Sequence, residues 1–378
     1  MVKPISRLVA FALLAVFALY AMGADSHFTG VGKIVAVGDL HGDYEQYVRI
    51  LKANDLVDDK LKWTGGKVHF VQLGDVTDRG PDSLKIIRHL MKLEKQAKRA
   101  GGRVHVLIGN HEAMNIRTDL RYVHPGEYSV LVTRRSPKNQ SDYLELVYKS
   151  MLANEPEIAD ARDETLAKLA TNFPLGYVEH RRLWEAGQEL ARWYAKKNTV
   201  IQINDTIFLH GGLDPHVETL PDFDEINDTI SDELSKGGVA NLSTNPRGPL
   251  WYRGLAMQPA ELELPALENM LAHYEAKRII IAHTTTQGAI MTRFDGRVIM
   301  ADVGIAAHYG LSLANVVIDE GVVFTLHRGK QLRLPDDAGL KEYLERVAQL
   351  EPEKSRLRNY VKSLSSPPVI QAGADIVQ

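Results

Sequence analysis

The residues best suited to chemistry in this chain are short runs of aspartate, histidine, asparagine and glycine that follow apolar, β-branched segments. Three lie close together: Gly38-Asp39-Leu40-His41-Gly42, Gly74-Asp75-Val76-Thr77-Asp78-Arg79-Gly80 and Gly109-Asn110-His111-Glu112. Two more follow later, His210-Gly211-Gly212 after Thr206-Ile207-Phe208-Leu209, and His283 after Ile279-Ile280-Ile281-Ala282. Any one of them alone reads as loop chemistry or a tight turn. Together, and each at a strand's exit, they offer Asp39, His41, Asp75, Asn110, His210 and His283 as carboxylate, imidazole and amide ligands.

A mixed oxygen and nitrogen donor set without cysteine suits borderline-hard ions such as manganese, iron or zinc better than a soft-metal or calcium site. Six ligands exceed what one catalytic ion with an open position requires. Two divalent ions sharing Asp75 is the economical reading, with manganese the expected metal. Such a pair, roughly 3.5–4 Å apart, can clamp phosphate oxygens and bring a bridging water toward ionisation near neutrality, so that the hydroxide attacks phosphorus. Arg79 and Arg253 are the candidate guanidinium forks for phosphate, with Asn110 beside them. His111 is the candidate general acid, its ring oriented by Asp78. Glu112 is expected to bond the loop backbone rather than a metal. The reaction this predicts is metal-dependent hydrolysis of a phosphate ester.

Strands must deliver these groups. Lys33–Val37, Val68–Leu73 and Val104–Ile108 read as buried strands. A helix follows the first from Asp43, its cap, to about Asn54; a second, capped by Asp82 or Ser83, stops at Gly101-Gly102; a third begins near Ala113. Strands alternating with helices predict a mainly parallel sheet with ligands gathered at the strand ends. From 118 to 198 the pattern turns polar and helical, which reads as an insertion or cap. It carries an aromatic cluster of Tyr177, Trp184, Trp193 and Tyr194, expected to be core, and a basic loop with Arg134, Arg135 and Lys138, expected to be solvated. Residues 216–249 read as turn-rich. Strands near 298–301, 312–318 and 322–326 suggest a second sheet, and a helix is expected from Pro335 to about Leu364.

Length and composition bound the rest. The chain of 378 residues fits one large catalytic domain, 25–335, with a C-terminal helix and tail at 336–378. Its 45 Lys and Arg against 48 Asp and Glu leave no basic excess for a nucleic-acid backbone. Residues 1–24 combine a basic start with an apolar run from Leu8 to Met22, which reads as a secretory signal rather than a membrane span; an uncleaved anchor is the rival reading. A periplasmic or secreted protein without stable membrane association after cleavage is expected. The absence of cysteine excludes disulfide scaffolds and thiol nucleophiles.

The three ordered motifs, with the later His-Gly-Gly and the strand-end histidine, resemble the phosphoprotein phosphatase family of calcineurin-like metallophosphoesterases over roughly residues 31–320. Asp119-Leu120-Arg121-Tyr122-Val123, the insertion and Trp251-Tyr252-Arg253-Gly254 resemble its Shewanella-like members. The resemblance implies an α/β fold with a central β-sandwich of two mixed sheets flanked by helices. It implies a dinuclear centre, with Asp39, His41 and Asp75 at one ion and Asp75, Asn110, His210 and His283 at the other. It also implies a phosphorylated protein side chain as substrate, Arg79 and Arg253 on the phosphate, and His111 with Asp78 as proton donor. Leu213-Asp214-Pro215 after His-Gly-Gly departs from the family's eukaryotic serine/threonine enzymes, which usually have Ser before Pro. A nucleotide or dinucleoside polyphosphate hydrolase shares the motif set, and a non-catalytic phosphate- or metal-binding envelope protein is the alternative of another class.

Overall fold

The computed structural model describes residues 25–236 and 241–365. The signal expected at 1–24 and the end of the tail lie outside them. Twelve strands are present among the described residues: β1 (His27–Phe28), β2 (Lys33–Val37), β3 (His69–Gln72), β4 (Arg103–Val106), β5 (Val200–Ile203), β6 (Thr206–Leu209), β7 (Arg278–Ile281), β8 (Met291–Arg293), β9 (Val298–Met300), β10 (Ala314–Asp319), β11 (Val322–His327) and β12 (Lys330–Arg333). They form two sheets of six, ordered β1-β5-β6-β7-β9-β8 and β12-β11-β10-β2-β3-β4.

Both sheets are mixed. β2, β3 and β4 run parallel, while β10 joins β2 antiparallel with Val317 opposite Val35. β6, β7 and β9 run parallel, with β5 and β8 antiparallel at their flanks. Alternate side chains point to opposite faces of a strand, and in β6 and β7 the packing follows this rule. Phe208 and Ile280 join the main core with Val35 and Val37. Their neighbours Ile207, Leu209, Ile279 and Ile281 instead face a second core under Leu267 and Met270 of the helix Ala260–His273.

The sandwich flanked by helices is the expected fold, but strands are distributed otherwise than their order in sequence suggests. The five motif-bearing strands do not lie side by side: three belong to one sheet and two to the other, so the ligands meet where the strand ends of both sheets converge. β9 extends the sheet of β7, whereas β10 and β11 complete the sheet of β2. Pairing is decided by packing of apolar faces across long sequence separations, which local periodicity does not report.

Local differences have local causes. Asp43 caps the helix Tyr44–Ala53 by accepting from Gln46 N–H at 3.1 Å. Asp82 occupies the N-cap of Ser83–Arg99 without a side-chain bond, and Ser83 Oγ donates to Glu127 rather than capping. The third helix starts at Asn110 itself. The turn-rich reading of 216–249 misses the helix Phe223–Lys236, whose Phe223, Ile226, Ile230 and Leu234 are buried. Arg134 and Arg135 precede a helix, Ser136–Leu152, rather than lying in a long loop; all three basic residues there are exposed, with Lys138 paired to Asp142. The single helix expected after Pro335 is two, Leu340–Ala348 and Arg356–Ser365, broken around Pro352. Trp184 and Tyr194 are buried and stacked 5.5 Å apart, as core. Among the described residues no helix is long and apolar enough to cross a membrane.

Candidate metal centre

The first two motifs are loops at the C-terminal ends of β2 and β3, the third opens the helix Asn110–Ile116 beyond β4, and several backbones at the site are unusual. His41, Asp75, Asp78, Arg79 and His283 all have positive φ, between 43° and 69°, a region L residues enter at a cost unless held there. What holds the second motif is Glu112. Its Oε2 accepts from Asp75 N–H and Gly109 N–H, both at 2.9 Å, and its Oε1 accepts from Val76 N–H at 2.8 Å and Thr77 N–H at 3.2 Å. One buried carboxylate therefore ties the second and third motifs together, in the backbone role expected of it. Gly109 is required by proximity: a Cβ there would collide with Asp75 Oδ1 and sit 2.8 Å from Glu112 Oε2.

Asp39, His41, Asp75, Asn110, His210 and His283 are all buried and converge on Asp75. His41 Nε2 lies 3.6 Å from Asp39 Oδ2 and 3.8 Å from Asp75 Oδ2. His210 Nε2 lies 3.3 Å from Asp75 Oδ2 and 2.9 Å from Asn110 Oδ1. Two groups of donor atoms, His41-Asp75-His111 and Asp75-His210-His283, each fall within 4.8 Å and share Asp75. The inclusion of His111 in the first differs from its expected place away from the metal.

Ring tautomers favour ligation. The Nδ1–H of His41 donates to Thr77 O and that of His210 to Leu73 O, both at 2.9 Å, which turns each Nε2 toward the carboxylates in the manner of metal-binding histidines. Burial alone would lower the pKa of His41, but Asp39 and Asp75 lift it to about 10. His210 is likewise lifted against burial to about 9 by Asp75 and Asp39. The carboxylates thus demand positive charge, which divalent ions would supply while leaving the imidazoles neutral. His283 is pushed the other way, to about 2, by burial and then by His210 and Arg253, and its Nε2 is buried without a hydrogen-bond partner. A neutral, orphaned imidazole nitrogen beside carboxylates fits a metal.

His111 has a different anchor. Its Nδ1 bonds Asp78 Oδ2 at 2.6 Å, Asp78 Oδ1 accepts from Asn115 Nδ2 at 2.9 Å, and Nε2 faces the centre 3.8 Å from Asp75 Oδ2. A carboxylate-held ring with one nitrogen toward the reacting position is the arrangement of a general acid. Arg79 stacks 3.9 Å over the Tyr122 ring and its buried Nε has no partner. Arg253 is exposed, with Nη1 donating to His283 O at 2.8 Å and Thr284 Oγ1 at 3.0 Å. It is held beside the cluster rather than stacked away on Trp251.

Sequence reasoning missed three neighbours as site residues. Tyr309 lies 5.1 Å from the His41 ring, at the end of a one-turn 3-10 helix, Ala307–Tyr309, with no motif to flag it. Asp302 is buried, and burial followed by the charge of Asp39 raises its carboxyl to about 7. Tyr122 stands in the stretch Asp119-Leu120-Arg121-Tyr122-Val123, yet its place between Arg79 and the His111 ring, 5.2 Å away, needed the fold.

A family model for calcineurin-like phosphoesterases matches residues 32–287. The chain is 32% identical over 292 residues to Shewanella-like protein phosphatase 2 of Arabidopsis thaliana, covering 72% of this chain and 71% of that one. It is 28% identical over 269 residues to Shewanella-like protein phosphatase 1 of Plasmodium berghei, covering 67% and 61%. Among solved structures, a cold-active protein-tyrosine phosphatase of a psychrophilic Shewanella species matches with a TM-score of 0.62 and 26% identity, covering 82% of each chain.

Proposed function

The chain belongs to the calcineurin-like phosphoesterase family, and from that premise we propose that it removes phosphate from phosphorylated protein side chains. The observation that carries the reading is the joining of three elements at one edge of the sandwich: a ligand cluster centred on Asp75, the His111–Asp78 pair, and the arginines Arg79 and Arg253. The relatives named as protein phosphatases favour a protein substrate over a nucleotide.

Asp39, His41, Asp75, Asn110, His210 and His283 would hold two divalent ions, with manganese proposed. When bound, the ions supply Lewis-acid stabilisation of phosphate oxygens and a water acidified toward neutrality. Arg79 and Arg253 place guanidinium donors where phosphate oxygens gain charge in the transition state. His111 delivers a proton from Nε2 to the departing oxygen of serine, threonine or tyrosine. Asp78 keeps the other ring nitrogen occupied and stabilises the protonated ring before transfer. Residues 1–24 are proposed to direct export, which places the substrates outside the cytoplasm.

A panel of phosphotyrosine, phosphoserine and phosphothreonine peptides, set against mononucleotides and a dinucleoside polyphosphate with added manganese, tests the assignment. Phosphopeptides are expected to show the higher kcat/KM. Preference for the nucleotides would replace the protein substrate while keeping the chemistry, and bound metal without turnover on any substrate would overturn both.

A further inference from the structure

We propose that Glu127, within the helical insertion, is a positioning residue for proton delivery: it holds Asp78, and through Asp78 the His111 ring. This rests on the phosphatase reading above. Asp78 and Arg79 are consecutive non-glycine residues with φ of 69° and 66°, a left-handed pair that only its surroundings can maintain. The segment following the third motif does so with two contacts. Tyr122 O accepts from Arg79 N–H at 3.0 Å, and the Tyr122 ring underlies the same guanidinium. Glu127 Oε1 accepts from Asp78 N–H at 3.1 Å and from Ser83 Oγ–H at 2.6 Å.

Glu127 thereby links the acid-bearing turn to the first residue of the helix Ser83–Arg99 and to the insertion. It is 5% exposed, and the space behind it is closed by His180 from the helix Tyr177–Trp184. His180 Nε2 stands 3.6 Å from Glu127 Oε2, and neither ring nitrogen has a hydrogen-bond partner. The carboxylate cannot swing away without entering packed side chains. Because His111 Nδ1 is tied to Asp78 Oδ2, a shift of the Asp78 backbone would tilt the His111 ring off the departing oxygen. A change in how the insertion packs would reach the acid by the same route.

The contact needs an acceptor at the Oε1 position, not a charge. Glutamine keeps that oxygen and turns its amide toward His180, whereas aspartate keeps the charge and falls one methylene short. The test compares Glu127→Gln, Glu127→Asp and Glu127→Ala on two aryl esters, phenyl phosphate and 2,4-dinitrophenyl phosphate. Phenolate is the stronger base and depends more on the acid. General acid catalysis contributes about 10²–10⁴-fold, so the Asp and Ala variants are expected to lose about 10- to 100-fold in kcat on phenyl phosphate. On the dinitrophenyl ester they should lose less than about threefold, since little acid assistance is needed there. Bound manganese and KM should stay within about twofold, because no ligand is changed and Tyr122 still holds both the Arg79 N–H and its guanidinium. The Gln variant should stay near wild type on both esters. Equal losses on the two esters, or retention by Asp with loss by Gln, would overturn the proposal. If Glu127→Ala does not fold, as a thermal melt will show, the opposed Asp and Gln results still decide. Failure of the phosphatase reading is seen separately, as a wild-type protein that releases phosphate from neither ester.

Discussion

Replacing Glu112 by glutamine isolates the carboxylate that joins the second and third motifs. Four backbone N–H groups, from Asp75, Val76, Thr77 and Gly109, converge on its two oxygens at 2.8–3.2 Å, and the side chain is fully buried. Glutamine is nearly isosteric but turns one oxygen into an amide donor. Whichever way it is placed, two of the four N–H groups then face a donor. Leaving a buried donor unpaired costs about 1–3 kcal/mol, so two imply about 2–6 kcal/mol. Burial, and then repulsion from Asp75, raises the Glu112 carboxyl to about 6, and relief of both in the neutral amide returns part of this. A net loss of about 2–3 kcal/mol is expected, seen as a melting temperature lower by about 5 °C. The displaced Asp75 should also weaken metal retention, measured as bound manganese after dialysis. A variant that melts within about 1 °C of wild type and keeps its metal would refute the idea that this carboxylate organises the loops.

Three further perturbations address separate parts of the account. His111→Asn should cut kcat about 100-fold or more while bound metal stays within about twofold, whereas Asn110→Ala should reduce both; loss of metal in the His111 variant would make it a ligand, as its position in one donor cluster permits. Glu351 is buried and accepts from His327 Nε2 at 2.6 Å and from Arg328 Nε at 2.7 Å and Nη2 at 2.9 Å, so Glu351→Ala should destabilise by about 3 kcal/mol in urea, and an unchanged midpoint would count against it. The third concerns pH: His69 and His105 share a 3.1 Å hydrogen bond, and burial, with Arg103 nearby, lowers them to about 4 and about 3. Depressed folded pKa values mean full stability above the unfolded value of 6.5, lost as pH falls toward 4 because only the unfolded chain takes up the protons. The loss is on the order of 1–3 kcal/mol for His69, whose partial exposure screens the effect, and a His69→Phe, His105→Phe double variant should show a shallower decline in melting temperature over that range.

The site was more legible than the architecture that builds it. Asp39, Asp75 and Asn110 follow β-branched runs and precede glycines or short helices, so local pattern alone places them at strand exits. Their convergence was not legible, because it depends on two sheets packing face to face so that their strand ends meet, and on β10 returning to pair with β2 across most of the chain. Short strands such as β1 and β8 carry too few residues for alternation to register, and β12, Lys330-Gln331-Leu332-Arg333, holds a single apolar residue. The helix Phe223–Lys236 did carry a periodic signal, with Phe223, Ile226, Ile230 and Leu234 at helical spacing, but flanking turn residues obscured it. Glu127 had no signal at all: one glutamate in a polar insertion acquires meaning only when folding sets it against Asp78 N–H.

The most direct test of the central claim is phosphate release from a phosphopeptide by wild type and Asp75→Asn, each chelated and then resupplied with manganese. Asp75 belongs to both donor clusters, so the account predicts wild-type release that vanishes on chelation, returns with manganese, and stays about 100-fold or more lower in the variant at every metal concentration. Release that survives chelation, or that Asp75→Asn leaves intact, would contradict it.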